Sequence, residues 1–578
     1  MLRRKITAPQ KHLRRKSLCD FPHFQDGETA AERLAGSPDA LYAGSMMRRW
    51  ILKHSSPLRL TVRGFVTTST VMARTYADAV TSLNSLQSNF AIVNAIRKSG
   101  GRLNEQSIPE MIEWCRKIGY QPSDFNALKV IHVAGTKGKG STAAFTSSIL
   151  TQFVGGKGTK SLSKIGLYTS PHLRFVRERI QINGQPLSEG QFAQYFFEVW
   201  DRLENVAKEA GQDPQSPGAR PVYFRFLTLM AFHAYLREKV DVAVIECGIG
   251  GAYDSTNIFE TPAVTCITSL GIDHVGMLGS TIGEIAWHKS GIMKSGIKCF
   301  TPSSQPAEAK AVMERVADEK GSVLEYVDVD PAIASGEITL GLQADFQKMN
   351  ASLAIALAKT WLDQQGYADA DDYKQKFVRG LETVWWPGRC ETRYESGVKW
   401  CIDGGHTLES IELAGKWFAS QLMTNKDSSK PLYQQPRFLI FNQQTRDAAS
   451  LAAALFNTLS AALNDPHPFT HAIFCTNTTF KETGFKPDLV AVNVNASDIE
   501  SMKVQNNLAE TWRGIDSSAR VKVVRTIEEA VNIVRNFANT HRQKAAELEE
   551  EKEVAALVTG SLHLVGGFLE VLESTTSS

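Results

Sequence analysis

The chain has 578 residues, with 64 Lys/Arg against 61 Asp/Glu, 43% hydrophobic and 22% charged side chains. At roughly 100–200 residues per domain that length holds two to four domains. The composition is globular and excludes collagen, a coiled coil and wholesale disorder.

The formal charge of +3 is unevenly distributed, because residues 1–77 carry 14 basic and 5 acidic side chains, leaving −6 for the remainder. No acidic residue lies between Asp39 and Asp78. That stretch interleaves Arg48, Arg49, Lys53, Arg59, Arg63 and Arg74 with Trp50, Ile51, Leu58, Phe65 and many Ser/Thr. An Arg-rich, Ser-rich, acid-poor amphipathic segment reads as a mitochondrial transit region over residues 1–75. The reading ranks ahead of a basic tail or a nucleic-acid arm, and no nucleic-acid partner is expected. Met46, Met47 and Met72 offer internal starts. The expectation is a mitochondrial form (matrix or inner-membrane associated) and a cytosolic form. No run of 18 apolar residues exists, so no membrane-spanning helix is expected. The eight cysteines form no CxxC pair, which argues against a zinc site or disulfide framework and for a reducing compartment.

From Tyr76 onward the chain alternates helical stretches with short apolar strands. Residues 129–134, 241–245 and 264–269 read as strands, each running into a polar loop that carries glycine. Strands separated by helices imply a parallel sheet with ligands at its carboxyl edge. WWPGR at 385–389 interrupts the pattern and suggests a boundary. Further strands follow at 399–402, 437–441, 472–475, 521–524 and 555–559, with a helix over 527–538. Residues 155–164 and 207–220 read as surface insertions, and 545–554 as a solvated charged helix face.

Four segments carry chemistry. GTKGKGST, from Gly135 to Thr142, follows a strand and opens a helix, so its N–H groups and helix N-terminus can cradle phosphate while the lysines neutralise it. The strict Walker spacing fails, since Gly140 intrudes between Lys139 and Ser141. YTSPHL, from Tyr168 to Leu173, continues into Arg174, Arg177, Glu178 and Arg179 and is by itself a polar loop. ECGIGG, beginning at Glu246, places a carboxylate past a strand, fitting either a Mg²⁺ ligand or an acidic helix cap. LGIDH ends in Asp273 and His274, a pair more often structural than ligating. Four such loops after successive parallel strands converge on one edge, which favours a metal–nucleotide site.

In this order GTKGKGST, YTSPHL…RERIQING, ECGIGGAYDSTN, LGIDHVGMLG…IAWHKSGIMK, WPGR and DGGH resemble the folylpolyglutamate synthases of the eukaryotic type, relatives of the Mur peptide ligases. The resemblance runs from about Tyr76 to the C-terminus. It implies a P-loop-type parallel-sheet ATPase domain, with ATP and folate bound over 76–385. A smaller Rossmann-like α/β domain, the glutamate-ligase part, would follow over 386–578. The implied activity is ATP-dependent addition of L-glutamate to the γ-carboxylate of a reduced folate through an acyl phosphate. The rival readings are a dihydrofolate synthase, a bifunctional enzyme, and a non-catalytic P-loop protein.

The same resemblance implies residue roles. Gly135, Thr136, Lys137, Gly138, Lys139, Gly140 and Ser141 would hold the ATP phosphates, with Asn257, Arg389 and Asp403 also on the nucleotide. Ser170, Glu246 and His274 would bind Mg²⁺, joined by the Ser141 hydroxyl; an imidazole is an unusual ligand for that ion. Lys289 matches a lysine that is carbamylated in such ligases, and Lys139 and His406 complete the catalytic set. His172, Arg174, Arg177 and Arg179 would recognise folate and its glutamate tail. Residues 224–233 match a helix near the pterin, although their Phe/Leu stripe also suits a core. ATP and Mg²⁺ are the implied cofactors, with a monovalent cation such as K⁺ as an option. A monomer acting on small molecules is expected.

Overall fold

A computed structural model describes residues 74–87, 105–155, 161–216, 218–367, 372–423, 435–444, 447–484, 488, 500–546 and 553–574. Residues 1–73 of the basic leader lie outside the described residues, as do 156–160 of the 155–164 insertion and 547–552 of the charge run.

Two sheets organise the described residues. The first has eight strands: β1 (Ile131–Ala134), β2 (Ile165–Tyr168), β3 (Ile180–Ile182), β4 (Gln185–Pro186), β5 (Val242–Glu246), β6 (Val264–Ile267), β7 (Lys298–Pro302) and β8 (Val323–Val327). Their spatial order is β4-β3-β2-β5-β1-β6-β7-β8, parallel except at β3 and β4. β1, β2, β5 and β6 are buried along their whole length, so they read as continuous apolar runs rather than alternating ones. The chain moves from β1 out to β2 and later returns to fill the gap with β5. A crevice therefore opens at the carboxyl ends of these central strands.

The second sheet contains β9 (Glu391–Glu395), β10 (Val398–Ile402), β11 (Arg437–Phe441), β12 (His471–Cys475), β13 (Arg520–Val524) and β14 (Val554–Thr559). Its order is β13-β12-β11-β14-β10-β9, with only β9 antiparallel. β9 is an edge strand carrying Glu391, Arg393 and Glu395, charges that discourage further pairing.

Helices cover both faces of each sheet. Phe145, Ile149, Leu353, Leu357 and Trp361 pack on one face of the first. Phe192, Phe196, Phe226, Phe232 and Tyr235 pack on the other, together with the helix Tyr76–Asn84. Around the second sheet Trp417, Phe418, Leu455 and Trp512 form one layer, and Val531, Val534, Phe568 and Leu569 the other.

Local chemistry explains where the elements depart from the sequence reading. Lys129 has φ 41° and closes the 3₁₀ turn Pro122–Leu128, so β1 begins later than residue 129. The segment 207–220 begins inside the helix Glu189–Glu209 and ends on buried Arg220, which pairs with Glu204 and lies over the Trp200 ring. The helix expected over 224–233 spans Tyr223–Glu238, and residues 226–235 are all buried, so its stripe is core. All seven described cysteines are buried and unpaired.

Candidate active site

The loops after β1, β2, β5 and β6 leave four adjacent parallel strands at the same edge. The loop after β1 is held from below. The N–H groups of Thr136 and Lys137 both donate to Ser269 O at 3.0 Å. The Thr136 hydroxyl donates to Gly271 O at 3.1 Å, and Lys137 Nζ meets Asp273 Oδ2 at 3.1 Å. Gly135 has φ +143°, and a Cβ there would lie 1.8 Å from Thr268 Oγ1. Gly138 has φ +89° and caps the helix Lys139–Thr151. No other residue type fits that curvature without strain. The helix starts with a cation and has no acidic residue in its first turn, which leaves its positive end available to an anion.

Glu246 ends β5 and is buried. Its Oε2 accepts the Ser170 N–H at 3.0 Å, and its Oε1 lies 3.9 Å from Lys139 Nζ. Burial raises its pKa, opposed first by Lys139, then by the Ser170 N–H, Arg389 and Arg179. Three cations from three separate segments thus act on one buried carboxylate. Ser141 is also buried and accepts a hydrogen bond from Gln347 Nε2 at 3.2 Å. His274 is exposed, with φ 54°, at the start of the turn Val275–Leu278. Among the described residues no group of three or more His, Cys, Asp or Glu is gathered for a metal. The expected ligand set contains only two side chains of those types, so it is not addressed by that absence.

Lys289 is buried, and its Nζ donates to Gly135 O at 2.7 Å. Desolvation, then repulsion from Lys139, lowers its pKa to about 7. Asn257 is buried. Its Nδ2 donates to Ala252 O and Gly291 O, each at 3.2 Å, tying the ECGIGG loop to the end of the Lys289 helix. That loop is shaped by buried Asp254, which accepts N–H groups from Gly248, Ile249 and Thr256.

From the second sheet, Asp403 follows β10 and is buried. It accepts the Gly405 N–H at 2.8 Å and the Cys390 N–H at 2.9 Å. Burial raises its pKa and Arg389 opposes the rise. His406 Nδ1 lies 3.1 Å from Gly404 O, and its N–H donates to Ser410 Oγ at 3.0 Å.

The loop after β2 divides its cations between different tasks. Glu178 knots the loop by accepting N–H groups from Leu173, Arg174 and Phe175. Arg174 turns to the C-terminal helix Leu562–Ser574, meeting Glu570 at 2.7 Å and Glu573 at 2.5 Å. Arg177 Nη1 donates to Leu187 O at 3.3 Å. Arg179 Nε donates to His172 Nδ1 at 3.0 Å, and its guanidinium lies over the Tyr223 ring. His172 Nε2 donates in turn to Asp488 O at 2.9 Å. Desolvation, then the Arg179 cation, pushes the His172 pKa down to about 3, so the imidazole is neutral.

Several residues at this edge escape sequence reasoning. Asn350 Oδ1 occupies the space beside Gly138, and its Nδ2 donates to Gln347. Two buried amides three positions apart in the helix Gln347–Gln364 were the available signal, since that spacing puts them on one face. The Trp386 indole Nε1 lies within 3.6 Å of where a Cβ on Gly140 would stand. Tyr223 faces the site from the first turn of a helix whose middle is core.

No protein-family model matches the chain. It is 46% identical over 505 residues to folylpolyglutamate synthase of Neurospora crassa, covering 87% of this chain and 92% of that protein. Identity to folylpolyglutamate synthase of Saccharomyces cerevisiae is 43% over 512 residues, covering 87% and 88%. Among solved structures, the Mycobacterium tuberculosis folylpolyglutamate synthase complexed with ADP superimposes with a TM-score of 0.59 at 22% identity, over 86% of this chain and 99% of that one. An FPGS–AMPPCP–folate complex gives 0.54 at 22% identity, over 84% and 100%. At that identity the structures establish a shared fold.

Proposed function

The chain belongs to the folylpolyglutamate synthase family, and from that premise we propose that it performs ATP-dependent addition of L-glutamate to a folate. The observation that carries this reading is buried Glu246 with Lys139 Nζ 3.9 Å away, beside a glycine loop at a helix N-terminus, with the Arg389 and Arg179 charges also opposing the rise in its pKa. Such a crevice binds a polyanion and keeps its charges apart from water.

The reaction is read in two stages. The terminal γ-carboxylate of the folate attacks the γ-phosphorus of ATP, and ADP leaves with the electrons of the broken bond. The glutamate amine then attacks the acyl carbon and expels inorganic phosphate. A free carboxylate is inert toward amines, so phosphorylation supplies the leaving group. The protein's part is to hold the reactants in line and balance charge. Lys139 is assigned to the β- and γ-phosphates, Arg389 and Asp403 to the nucleotide from the second sheet, and Arg179 with His172 to the folate. His406 is assigned to the phosphates or the incoming glutamate.

The donor chemistry at Glu246 suits Mg²⁺, which prefers oxygen. The Glu246 carboxylate, which accepts the Ser170 N–H, would hold the ion together with the Ser170 and Ser141 hydroxyls, with His274 as a family-derived fourth. When bound, Mg²⁺ neutralises phosphate charge. Lys289 is read as carbamylated, because a buried amine with its pKa near 7 is substantially neutral at physiological pH. The leader is read as a mitochondrial address, with internal starts yielding a cytosolic form. Mapping native N-termini in each fraction tests this, and one full-length N-terminus everywhere would refute it.

Incubation with ATP, Mg²⁺, tetrahydrofolate and labelled glutamate should yield chain-extended folate and ADP in equal amounts. A parallel incubation with dihydropteroate separates a dihydrofolate synthase from a folate extender. No labelled product with any pterin acceptor would overturn the functional reading.

A further inference from the structure

We propose that Asp488 is a positioning residue for folate recognition, setting the orientation of Arg179 through His172 and the turn at Val176. Asp488 is 312 positions from Val176 and 316 from His172, yet it meets both. Its backbone carbonyl accepts the His172 Nε2–H at 2.9 Å. That bond fixes the neutral imidazole with its proton on Nε2, so Nδ1 is the ring's acceptor. Nδ1 takes the Arg179 Nε–H at 3.0 Å. A flipped ring or the other tautomer would present N–H to the guanidinium and repel it.

The side chain reinforces the same geometry. Asp488 Oδ1 accepts the Val176 N–H at 2.9 Å and the Tyr76 hydroxyl. Val176 opens the 3₁₀ turn Val176–Arg179, so the carboxylate holds the turn that ends in Arg179 itself. One residue therefore restrains Arg179 at two points, the backbone of its turn and the ring that receives its Nε–H. Among the described residues nothing takes the Arg179 Nη groups, which leaves that edge for a carboxylate in bidentate geometry. Tyr223 closes one face, 5.6 Å from the guanidinium.

Asp488 follows β12 and so belongs to the half of the chain built on the second sheet, whereas Arg179 belongs to the first. Folate recognition would therefore depend on a contact made from the opposite half of the molecule. The inference rests on the assignment of Arg179 to the folate.

The test compares steady-state constants of the full chain for folate, ATP and glutamate with folate binding followed by intrinsic fluorescence. Asp488→Ala should raise the folate KM and Kd roughly tenfold, with the ATP KM within about twofold of the parent. Asp488→Asn keeps an acceptor for both donors and should recover to within about threefold. Val176→Pro removes the donated N–H and also trades a buried valine side chain for the proline ring, so it is read on the folate constants against an unchanged ATP KM. Proline suits the first position of a turn, and Phe175 before it is already extended at φ −125°, ψ 136°. It should reproduce the Asp488→Ala effect, and the double variant should be no worse than either single one. A folate Kd within about twofold of the parent in both variants, or equal losses for ATP and folate, would overturn the proposal. If the parent binds folate but ligates no glutamate, the functional reading fails while the binding comparison still decides the role of Asp488.

Discussion

Lys289 Nζ donates to the carbonyl oxygen of Gly135 at 2.7 Å, joining the helix Ile282–Ser290 to the loop that follows β1. A buried lysine nitrogen is thus placed against the first residue of the candidate phosphate loop, and the Lys139 charge nearby helps to lower its pKa.

This lysine should be sensitive to carbon dioxide. Desolvation lowers its pKa to about 7, so below that pH it is an ammonium, and above it an increasing fraction is a free amine. The free amine adds to CO₂ and releases one proton, forming a carbamate. ¹³C-bicarbonate should therefore give a carbamate resonance at pH 8 that weakens by pH 6 and is lost in Lys289→Arg. Turnover should rise with bicarbonate over the same range. The folded pKa lies below the unfolded value near 10.5. The folded state thus binds fewer protons between about pH 7 and 10.5, and this group's contribution to stability improves as pH rises through that window. An absent resonance together with bicarbonate-independent turnover would remove the carbamate.

Gly138→Ala should abolish ATP-dependent turnover. Its φ of +89° disfavours any side chain, and the new Cβ would lie 2.2 Å from Asn350 Oδ1. The backbone strain costs about 1–3 kcal/mol. Adding Asn350→Ala removes the overlap but not the strain, so the double variant should regain melting temperature without regaining full ADP release. Parent-like turnover in Gly138→Ala would rule out a tight phosphate cradle.

Arg174→Ala should lower stability rather than substrate affinity. It removes the guanidinium that lies 2.7 Å from Glu570, whose side chain is only 8% exposed, whereas Glu573 is 44% exposed and can rehydrate. The expected loss is about 1–3 kcal/mol in urea unfolding. Arg174→Met with Glu570→Leu should be milder than Arg174→Ala alone. A selective rise in folate KM with unchanged stability would instead put Arg174 on the substrate.

Lys139→Ala should reduce ADP release at least about a hundredfold, because it withdraws positive charge from the phosphate crevice. Near-normal turnover in a coupled ADP assay would refute its phosphate role.

The division of labour among the arginines shows where local reading ends. Arg174 and Arg179 share one short loop and one composition, so sequence treats them alike. In the fold Arg174 pairs with Glu570, 396 positions away, while Arg179 donates to His172 and lies over the Tyr223 ring. The strands at 437–441 and 472–475 were legible because buried parallel strands are continuous apolar runs. β3 and β4 were not, since strands of three and two residues have too few side chains to show a period.

The uneven charge, the alternating elements and the phosphate loop were all properties of contiguous residues, and the sequence alone determined them. A strand, its glycines and the following helix N-terminus interact through the backbone over a few positions. Only the tertiary structure decided that Gly135 and Gly138 must be bare, because Thr268 and Asn350 fill their Cβ positions. It also decided that Lys289 is held near neutrality, since that depends on exclusion of water by distant segments. Burial and pairing are properties of what the fold brings alongside a residue, and no neighbour in sequence reports them.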